Sequence, residues 1–297
     1  MTKKEIGVYT GLFFTMLFWG LSFVWYKQVF IYYGPITTIL LRLLISTLFL
    51  WIFAFALKEV KGLSRSSFYK FMLTAFFQPF LYFFGESQGV NLVSSTLSSV
   101  IIATIPVFIA TAGIIFLNEK LKPLNIIGFT ISLIGVFMLI LDKNFTLDAP
   151  LKGLAFLFLA VLAAVGYSLM IRNLSLSHSP FMIVTYQNLF GIFYFLPFFI
   201  LWEYNDFKQV GFASEAMVPM LQLAVFASTL AFIFFTYGVK HIGVAKASIF
   251  TNLIPVVTAV SAFFIIQEPI FIKELLGIVI VITGLFISHV RPHKRRV

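Results

Sequence analysis

Ten stretches of about 20 mostly apolar residues follow one another along the chain, and no other feature limits its possible folds as much. A helix needs about 20 consecutive apolar residues to cross the hydrocarbon core of a bilayer. The connections between the stretches are too short to hold a soluble domain. The sequence therefore predicts an all-α polytopic membrane protein with ten transmembrane helices. The predicted spans are 6–26, 35–57, 69–90, 95–117, 123–141, 152–171, 181–202, 216–238, 245–266 and 272–290.

The composition agrees with a surface that faces lipid. Hydrophobic residues make up 60% of the chain and charged residues only 11%, whereas a soluble domain has about 25% charged residues. The first stretch shows no small-residue cleavage site of a signal peptide, so we expect it to remain as a helix. There is no Cys, which excludes disulfides and thiolate metal sites.

Lys and Arg are distributed unevenly between the two sides of the predicted bundle. With the N-terminus inside, the inner segments carry 15 of these residues and the outer segments carry 5. This bias predicts a multi-pass protein of the cell membrane, the inner membrane in a bacterium, with both termini in the cytoplasm. It also accounts for the net charge of +10 without nucleic acid, so the expected surroundings are the lipid bilayer.

A repeat relates the two halves of the chain. Pro106 and Pro255 are 149 positions apart (255 − 106), and the same offset relates three further pairs in the same order. Each copy holds five spans, so the second copy enters the membrane from the opposite side. We predict two inverted five-helix repeats, residues 1–145 and 146–297. The three further pairs are Glu119 with Glu268, Gly128 with Gly277, and Gly135 with Gly284.

Inverted repeats are a recurrent plan of secondary transporters, which bind their substrate near the membrane midplane between the copies. A proline inside a helix frees a carbonyl and permits a bend. Pro106 and Pro255 could serve packing alone, but their matching positions favour a pair of gating helices that bend. Glu119 and Glu268 lie beside loops, and we expect them to be turn or helix-end residues.

Three stretches together resemble the EamA family of the drug/metabolite transporter superfamily, in its ten-helix form. They are GVNLVSSTLSSVIIATIPVFIATAGIIFLNEKLKPLNIIGFTISLIGVFMLI, GPITTILLRLLIS, and YGVKHIGVAKASIFTNLIPVVTAVSAFFIIQEPI. The similarity lies in a small-residue segment, an apolar helix with Pro, a Glu before a short turn, a Gly-rich last helix, and a Pro followed by Arg in the second helix. In the second copy Gln187 stands where Arg42 stands in the first, so the halves are not chemically equivalent.

The resemblance implies a central cavity surrounded by helices one to four and six to nine, with helices five and ten packed outside. It also implies a carrier, often an exporter, of amino acids, other metabolites or toxic organic compounds. The expected partner is thus a small-molecule substrate.

Arg42 is the clearest chemical anomaly, because an Arg at a helix centre costs at least about 2.5–3.5 kcal/mol on insertion scales. It lies 7 residues after Pro35, and Glu86 lies near the end of a span that runs in the opposite direction. We expect the two to meet in the outer half of the bundle, either as a pair or in a water-bridged network. The network could fix helix register, bind a zwitterion's charged groups, or carry a proton on Glu86.

Other polar and aromatic residues inside the spans could line the same cavity, although hydrogen bonding between helices is the commoner role of such residues. Tyr26 and four other aromatic residues lie at predicted span ends, where we expect an interfacial belt. The candidate cavity residues besides Arg42 and Glu86 are Trp19, Ser22, Gln78, Tyr82, Tyr167, Gln187, Asn188, Tyr237 and Asn252.

The chain has no HExxH, G-x-S-x-G or phosphate-loop motif and no pair of intramembrane Asp residues, so we expect no enzyme, no ATPase, no metal and no cofactor. A secondary transporter that works by alternating access is the favoured function. An intramembrane lipid-modifying enzyme and a non-transporting scaffold are the alternatives.

Overall fold

A computed structural model describes residues 3–57, 62–117, 123–141, 147 and 149–289. In this part of the chain the regular secondary structure is helical, and the helices group into ten spans that confirm the predicted number and order. Spans 1, 2, 5, 6 and 10 are single helices, and the other five are interrupted. The single helices are Lys3–Phe30, Pro35–Leu57, Pro123–Ile140, Leu151–Ser177 and Ile272–His289.

The interrupted spans contain a break or a short segment of tighter or wider helix. Span 3 joins Arg65–Ala75 and Tyr82–Leu92 through π-helical Phe76–Leu81, and span 4 consists of Ser95–Ala103 and Ile105–Leu117. The remaining three spans belong to the second repeat. Span 7 is Pro180–Phe198, Phe199–Glu203 and Tyr204–Val210; span 8 is Ser214–Gln222, Leu223–Leu230 and Ala231–Ile242; span 9 is Val244–Ser248, Ile249–Leu253 and Ile254–Ile266.

The spans alternate in direction between two faces of the bundle. We name them the Gly34 face, which carries the connections 31–34, 93–94, 211–213 and 267–271, and the Ser179 face, which carries 62–64, 178–179 and 243. Span 1 starts at the Ser179 face and span 6 at the Gly34 face. Spans 1–5 (half one) and spans 6–10 (half two) are therefore threaded in opposite directions. Among the residues that the structure describes, eight helical segments are long and apolar enough to cross a membrane.

Both prolines of the repeat lie just after an interruption of their span. In span 4 the first helix ends at Ala103, and Thr104 donates to the Ile101 carbonyl at 3.0 Å, a tightened last turn. In span 9 a 3₁₀ segment ends at Leu253, directly before the helix that contains Pro255. A proline ring has no N–H and clashes with the preceding turn, which explains why both helices break at the same relative place.

Spans 5 and 10 pack against each other outside the other eight, as expected. The contact is close because both helices present glycine: a Cβ on Gly284 would lie 2.3 Å from the Ser132 nitrogen and 2.6 Å from the Gly128 carbonyl oxygen. The Asn125 side chain also donates to the Ser288 carbonyl across this pair. Small residues let membrane helices approach to van der Waals contact, so these glycines have a packing role.

We expect Gly284→Ala to destabilise the bundle by about 1–3 kcal/mol, because one methyl group overpacks the contact between two backbones. The measurement is thermal unfolding of purified protein in detergent. Gly7→Ala is the matched control, since a Cβ at Gly7 has nothing within 4 Å. Equal melting temperatures for the two variants would contradict the close packing of spans 5 and 10.

Candidate functional site

A chamber lies between the two halves and is lined by side chains of both. It is narrow: the centres of water molecules can occupy about 50 Å³ of it, which is room for only a few waters. Six of its lining residues are aromatic and two are charged. The lining residues are Trp19, Ser22, Arg42, Gln78, Tyr82, Phe83, Glu86, Ile105, Ile109, Ala164, Tyr167, Ser168, Phe232, Phe235, Ser248 and Thr251.

Arg42 and Glu86 belong to one hydrogen-bonded network, as the sequence predicts. The link between them is the Tyr26 hydroxyl, which accepts from Arg42 Nη1 and donates to Glu86 Oε2 at 3.2 Å. The Tyr82 hydroxyl donates to Glu86 Oε1 at 2.8 Å. Each carboxylate oxygen thus has a phenolic donor, and a protein group bridges the two charges where the sequence left a direct pair or a water bridge open.

Arg42 is almost fully buried, with 1% of its surface exposed, and further side chains contact its guanidinium group. Its Nε donates to Ser228 Oγ at 2.7 Å, and its guanidinium carbon lies 4.4 Å from the centre of the Phe83 ring and 5.2 Å from that of Tyr26. Cation–π contacts strengthen when they are desolvated. Ser228 belongs to half two, so this arginine joins the halves as well as the spans of half one.

Seven of the predicted cavity residues line the chamber, namely Trp19, Ser22, Arg42, Gln78, Tyr82, Glu86 and Tyr167. Gln187 lies just behind the wall, and its Nε2 donates to the Gln78 carbonyl at 3.2 Å. That carbonyl is accessible because span 3 is broken there: Gln78 has φ −148° and ψ 117°. Non-helical backbone at membrane depth is tolerated where it is buried in protein or faces a cavity.

Three predicted cavity residues are not among those that line this chamber. Asn188 donates to Ser46 Oγ at 2.7 Å between spans 7 and 2 and acts as a bond between helices. Tyr237 turns to the ring of His241, 4.2 Å away. Asn252 follows the lining residue Thr251, and its side-chain oxygen is buried without a hydrogen-bond partner. Span periodicity alone could not separate these residues from lining ones, because helix rotation depends on packing.

Tyr26 is a residue of the charged network that sequence reasoning missed, and its assignment to an interfacial belt is wrong. It is fully buried and joins the two charges. A signal was available, because residues 19, 22 and 26 recur at helical spacing and so share one face of span 1. The apolar lining residues carry no comparable signal in so aromatic a chain.

Glu203 of half two holds span 2 of half one at the Gly34 face. Its carboxylate accepts from the Ile36 nitrogen at 3.1 Å and from the Thr37 nitrogen and hydroxyl, both at 2.7 Å. These are orphan donors of the helix N-terminus, where negative charge is favoured. A Cβ at Gly34 would lie 2.5 Å from the Glu203 carboxyl carbon, so glycine makes room for this cap.

Glu268 makes a second contact of the same kind between the halves. Its carboxylate accepts from the Ser95 and Thr96 nitrogens, both at 3.1 Å, at the start of span 4. A left-handed turn at Gln267, with φ 54°, redirects the chain at the end of span 9 so that Glu268 reaches across. Glu268 is therefore a helix-end residue, as expected, while Glu119 lies outside the described residues.

We expect Tyr26→Phe to lower the free energy of unfolding by about 1.5–3 kcal/mol, since it removes a hydrogen bond between charged groups. Thermal unfolding in detergent measures the loss. Tyr9→Phe, at an exposed position of the same span, is the control for the chemical change. Two variants with the same stability would show that Tyr26 does not bridge the charges.

Comparison with known proteins places this architecture in a family. The model of the EamA-like transporter family matches residues 7–141 and 151–289. The uncharacterized transporter YetK of Bacillus subtilis is 27% identical over 298 residues, covering 99% of this chain and 90% of that protein. An uncharacterized transporter of Archaeoglobus fulgidus is 23% identical over 273 residues, and the alignment covers 92% of this chain and 95% of that protein.

A crystal structure with 14% sequence identity has the same fold, with a TM-score of 0.71 over 95% of this chain and 97% of the other. The family match extends over both halves, and the named relatives align along nearly the full length. The chain belongs to the EamA-like transporter family and is a multi-pass membrane transporter.

Proposed function

We propose that this protein is a secondary transporter that moves small zwitterionic metabolites such as amino acids across the cell membrane by alternating access, in the direction of export. Both termini lie in the cytoplasm in this proposal, so the Gly34 face is the outer one. The uneven distribution of Lys and Arg supports that orientation.

The observation that carries the proposal is the buried network of Arg42, Tyr26 and Glu86 in the chamber wall. One positive and one negative group face the same space between the halves. A solute with a carboxylate and an ammonium group can bind such a pair with both of its charges compensated. Burying either charge alone would be costly, so the network favours zwitterions over simple ions.

The geometry of the two faces supports alternating access. Arg42 and Glu86 lie about 10 Å below the Gly34 face, judged from their positions 7 and 6 residues from the span ends. Ser248 and Thr251 extend the chamber toward the Ser179 face. Glu203 and Glu268 tie half two to half one at the Gly34 face, and we propose that these caps hold that face closed. Bends before Pro106 and Pro255 would let the span ends move.

We expect Arg42→Ala and Glu86→Gln each to reduce transport of an amino acid substrate at least about tenfold. Losing a charged hydrogen bond costs about 1.5–3 kcal/mol, and 1.4 kcal/mol corresponds to a factor of ten. Counterflow of radiolabelled amino acids by purified protein in liposomes measures the rate, with substrates chosen first by thermal stabilisation.

The control is Arg65→Ala, which removes an exposed arginine from the end of span 3. Its transport should equal that of the wild type. Normal membrane insertion with full transport in both chamber variants would end the claim that Arg42 and Glu86 bind substrate.

We expect the double variant Glu203→Gln/Glu268→Gln to open the Gly34 face more often. Neutral amides bind helix N-termini more weakly than carboxylates do, so the closed state loses stability. The chain has no native Cys, so a single Ser22→Cys reporter reads access to the chamber. Its labelling in intact cells by a membrane-impermeant thiol reagent should be about three- to tenfold faster in the double variant.

Glu215→Gln, a neutralised carboxylate at the same face, is the matched control and should leave labelling at the original rate. Phe212→Cys, at a position that is 77% exposed, shows that the reagent reaches this face. Equal reporter labelling with and without the two caps would refute their role in closure.

A further inference from the structure

The guanidinium group of Arg42 has two of its three nitrogens bonded to protein. Nε donates to Ser228 Oγ at 2.7 Å, and Nη1 donates to the Tyr26 hydroxyl. In the part of the chain that the structure describes, no acceptor is bonded to Nη2, and Nη2 is not among the enclosed side-chain atoms that lack a partner. Because Arg42 lines the chamber, an occupant of the chamber can accept from the N–H groups of Nη2.

The contacts of Arg42 fix the direction of Nη2. Ser228 holds the guanidinium group from span 8, Tyr26 holds it from span 1, and the centre of the Phe83 ring lies 4.4 Å from its carbon. Guanidinium donors form a rigid planar fork, so these contacts leave the group little freedom to rotate. Ser228 also occupies Nε, and a carboxylate therefore cannot bind the side of the fork that Nε and Nη2 share.

Ser228 is itself held in place by half one. It is fully buried in the π-helical segment Leu223–Leu230 of span 8, and π-helical turns occur frequently at functional sites. Trp19 Nε1 of span 1 donates at 3.3 Å to the carbonyl of Ala227, the residue directly before Ser228. The backbone that presents the Ser228 hydroxyl to Arg42 is thus bonded to the half that carries the arginine.

A second hydrogen bond between spans 2 and 8 lies one turn away and does not involve the arginine. Ser46, four residues after Arg42, is bonded at 2.6 Å to Thr229, the residue after Ser228. Both side chains are buried, and neither is among the residues that line the chamber. This bond joins helices only, whereas the bond of Ser228 ends on a group that faces the chamber.

We propose that Ser228 is a positioning residue for substrate recognition: by occupying Nε of Arg42, it directs Nη2 to the carboxylate of the transported zwitterion. The proposal rests on the function proposed above. It gives half two a part in a binding site whose charges both belong to half one. When the halves move apart, Ser228 leaves Arg42 and the carboxylate loses its oriented donor, so affinity falls in the step that releases the solute.

The test compares amino acids with their carboxamides, which keep the ammonium group and the side chain but lack the carboxylate. The standard amino acids are screened first by thermal stabilisation of the purified full chain in detergent. Those that bind are compared with their carboxamides, as leucine with leucinamide, by stabilisation and by competition in counterflow. In the wild type we expect the amino acid of at least one pair to bind at least about tenfold more tightly than its carboxamide.

In Ser228→Ala this ratio should fall about three- to tenfold, because Nε loses its acceptor and the guanidinium group is free to turn. The affinity for the carboxamide should stay the same. A purely structural role of Ser228 would weaken the binding of amino acid and carboxamide alike, so the ratio separates positioning from stability.

Ser46→Ala is the matched control, because it removes a buried hydroxyl and its bond to half two from the same pair of spans. It should keep the wild-type ratio, whatever its melting temperature. Ser228→Thr retains a hydroxyl beside Arg42 and should keep most of the ratio that Ser228→Ala loses.

The outcomes separate the two proposals. If no amino acid stabilises or is transported by the wild type, the proposed function fails and the role of Ser228 fails with it. If amino acids bind but the ratio is the same in wild type and Ser228→Ala, only the role of Ser228 is refuted. Tighter binding of the amino acid by Ser228→Ala would also refute it, because Ser228 would then compete with the solute for Arg42.

Discussion

The hydrogen-bond donors of a guanidinium group within the membrane must be bonded to protein or water. The helices at the centre of this transporter are arranged so as to meet that requirement for Arg42. Arg42 is bonded to Tyr26 and Ser228 and stacked on Phe83, contacts that come from spans 1, 8 and 3. The arginine thereby sets the rotation of three neighbouring helices around span 2. Replacing it with an apolar residue would save the cost of burying a charge, and this cost agrees with the role in substrate binding that we propose for Arg42.

The inverted repeat supplies the same scaffold twice, and the chemistry differs between the copies. Small residues and prolines recur because both halves need close packing and a break at matching depth. Arg42 and Gln187 occupy matching positions but are unlike in charge. Both charged residues that line the chamber therefore come from half one.

At the Gly34 face, carboxylates of half two bind backbone donors of half one, and we propose that these contacts hold the face closed. Glu203 and Glu268 both belong to half two, and both cap helices of half one. Hydrogen bonds from the free N–H groups of a helix N-terminus to a carboxylate are strong when water is excluded and weak when water can compete for them. Opening the face would hydrate both partners at once, so the contact can be broken without leaving polar groups unpaired.

The sequence by itself determined the ten spans, their alternating directions, the inverted repeat and the membership of Arg42 and Glu86 in one network. These follow from hydrophobic length, from an odd number of spans per copy, and from the cost of unpaired charge in lipid. Only the tertiary structure decided that Tyr26 bridges the charges, that Asn188, Tyr237 and Asn252 lie off the chamber, and that Glu203 caps span 2. The rotation of each helix about its axis sets those contacts, and in lipid that rotation depends on packing with neighbouring helices. It cannot be read from the sequence, because a helix that is apolar all round has no single hydrophobic face.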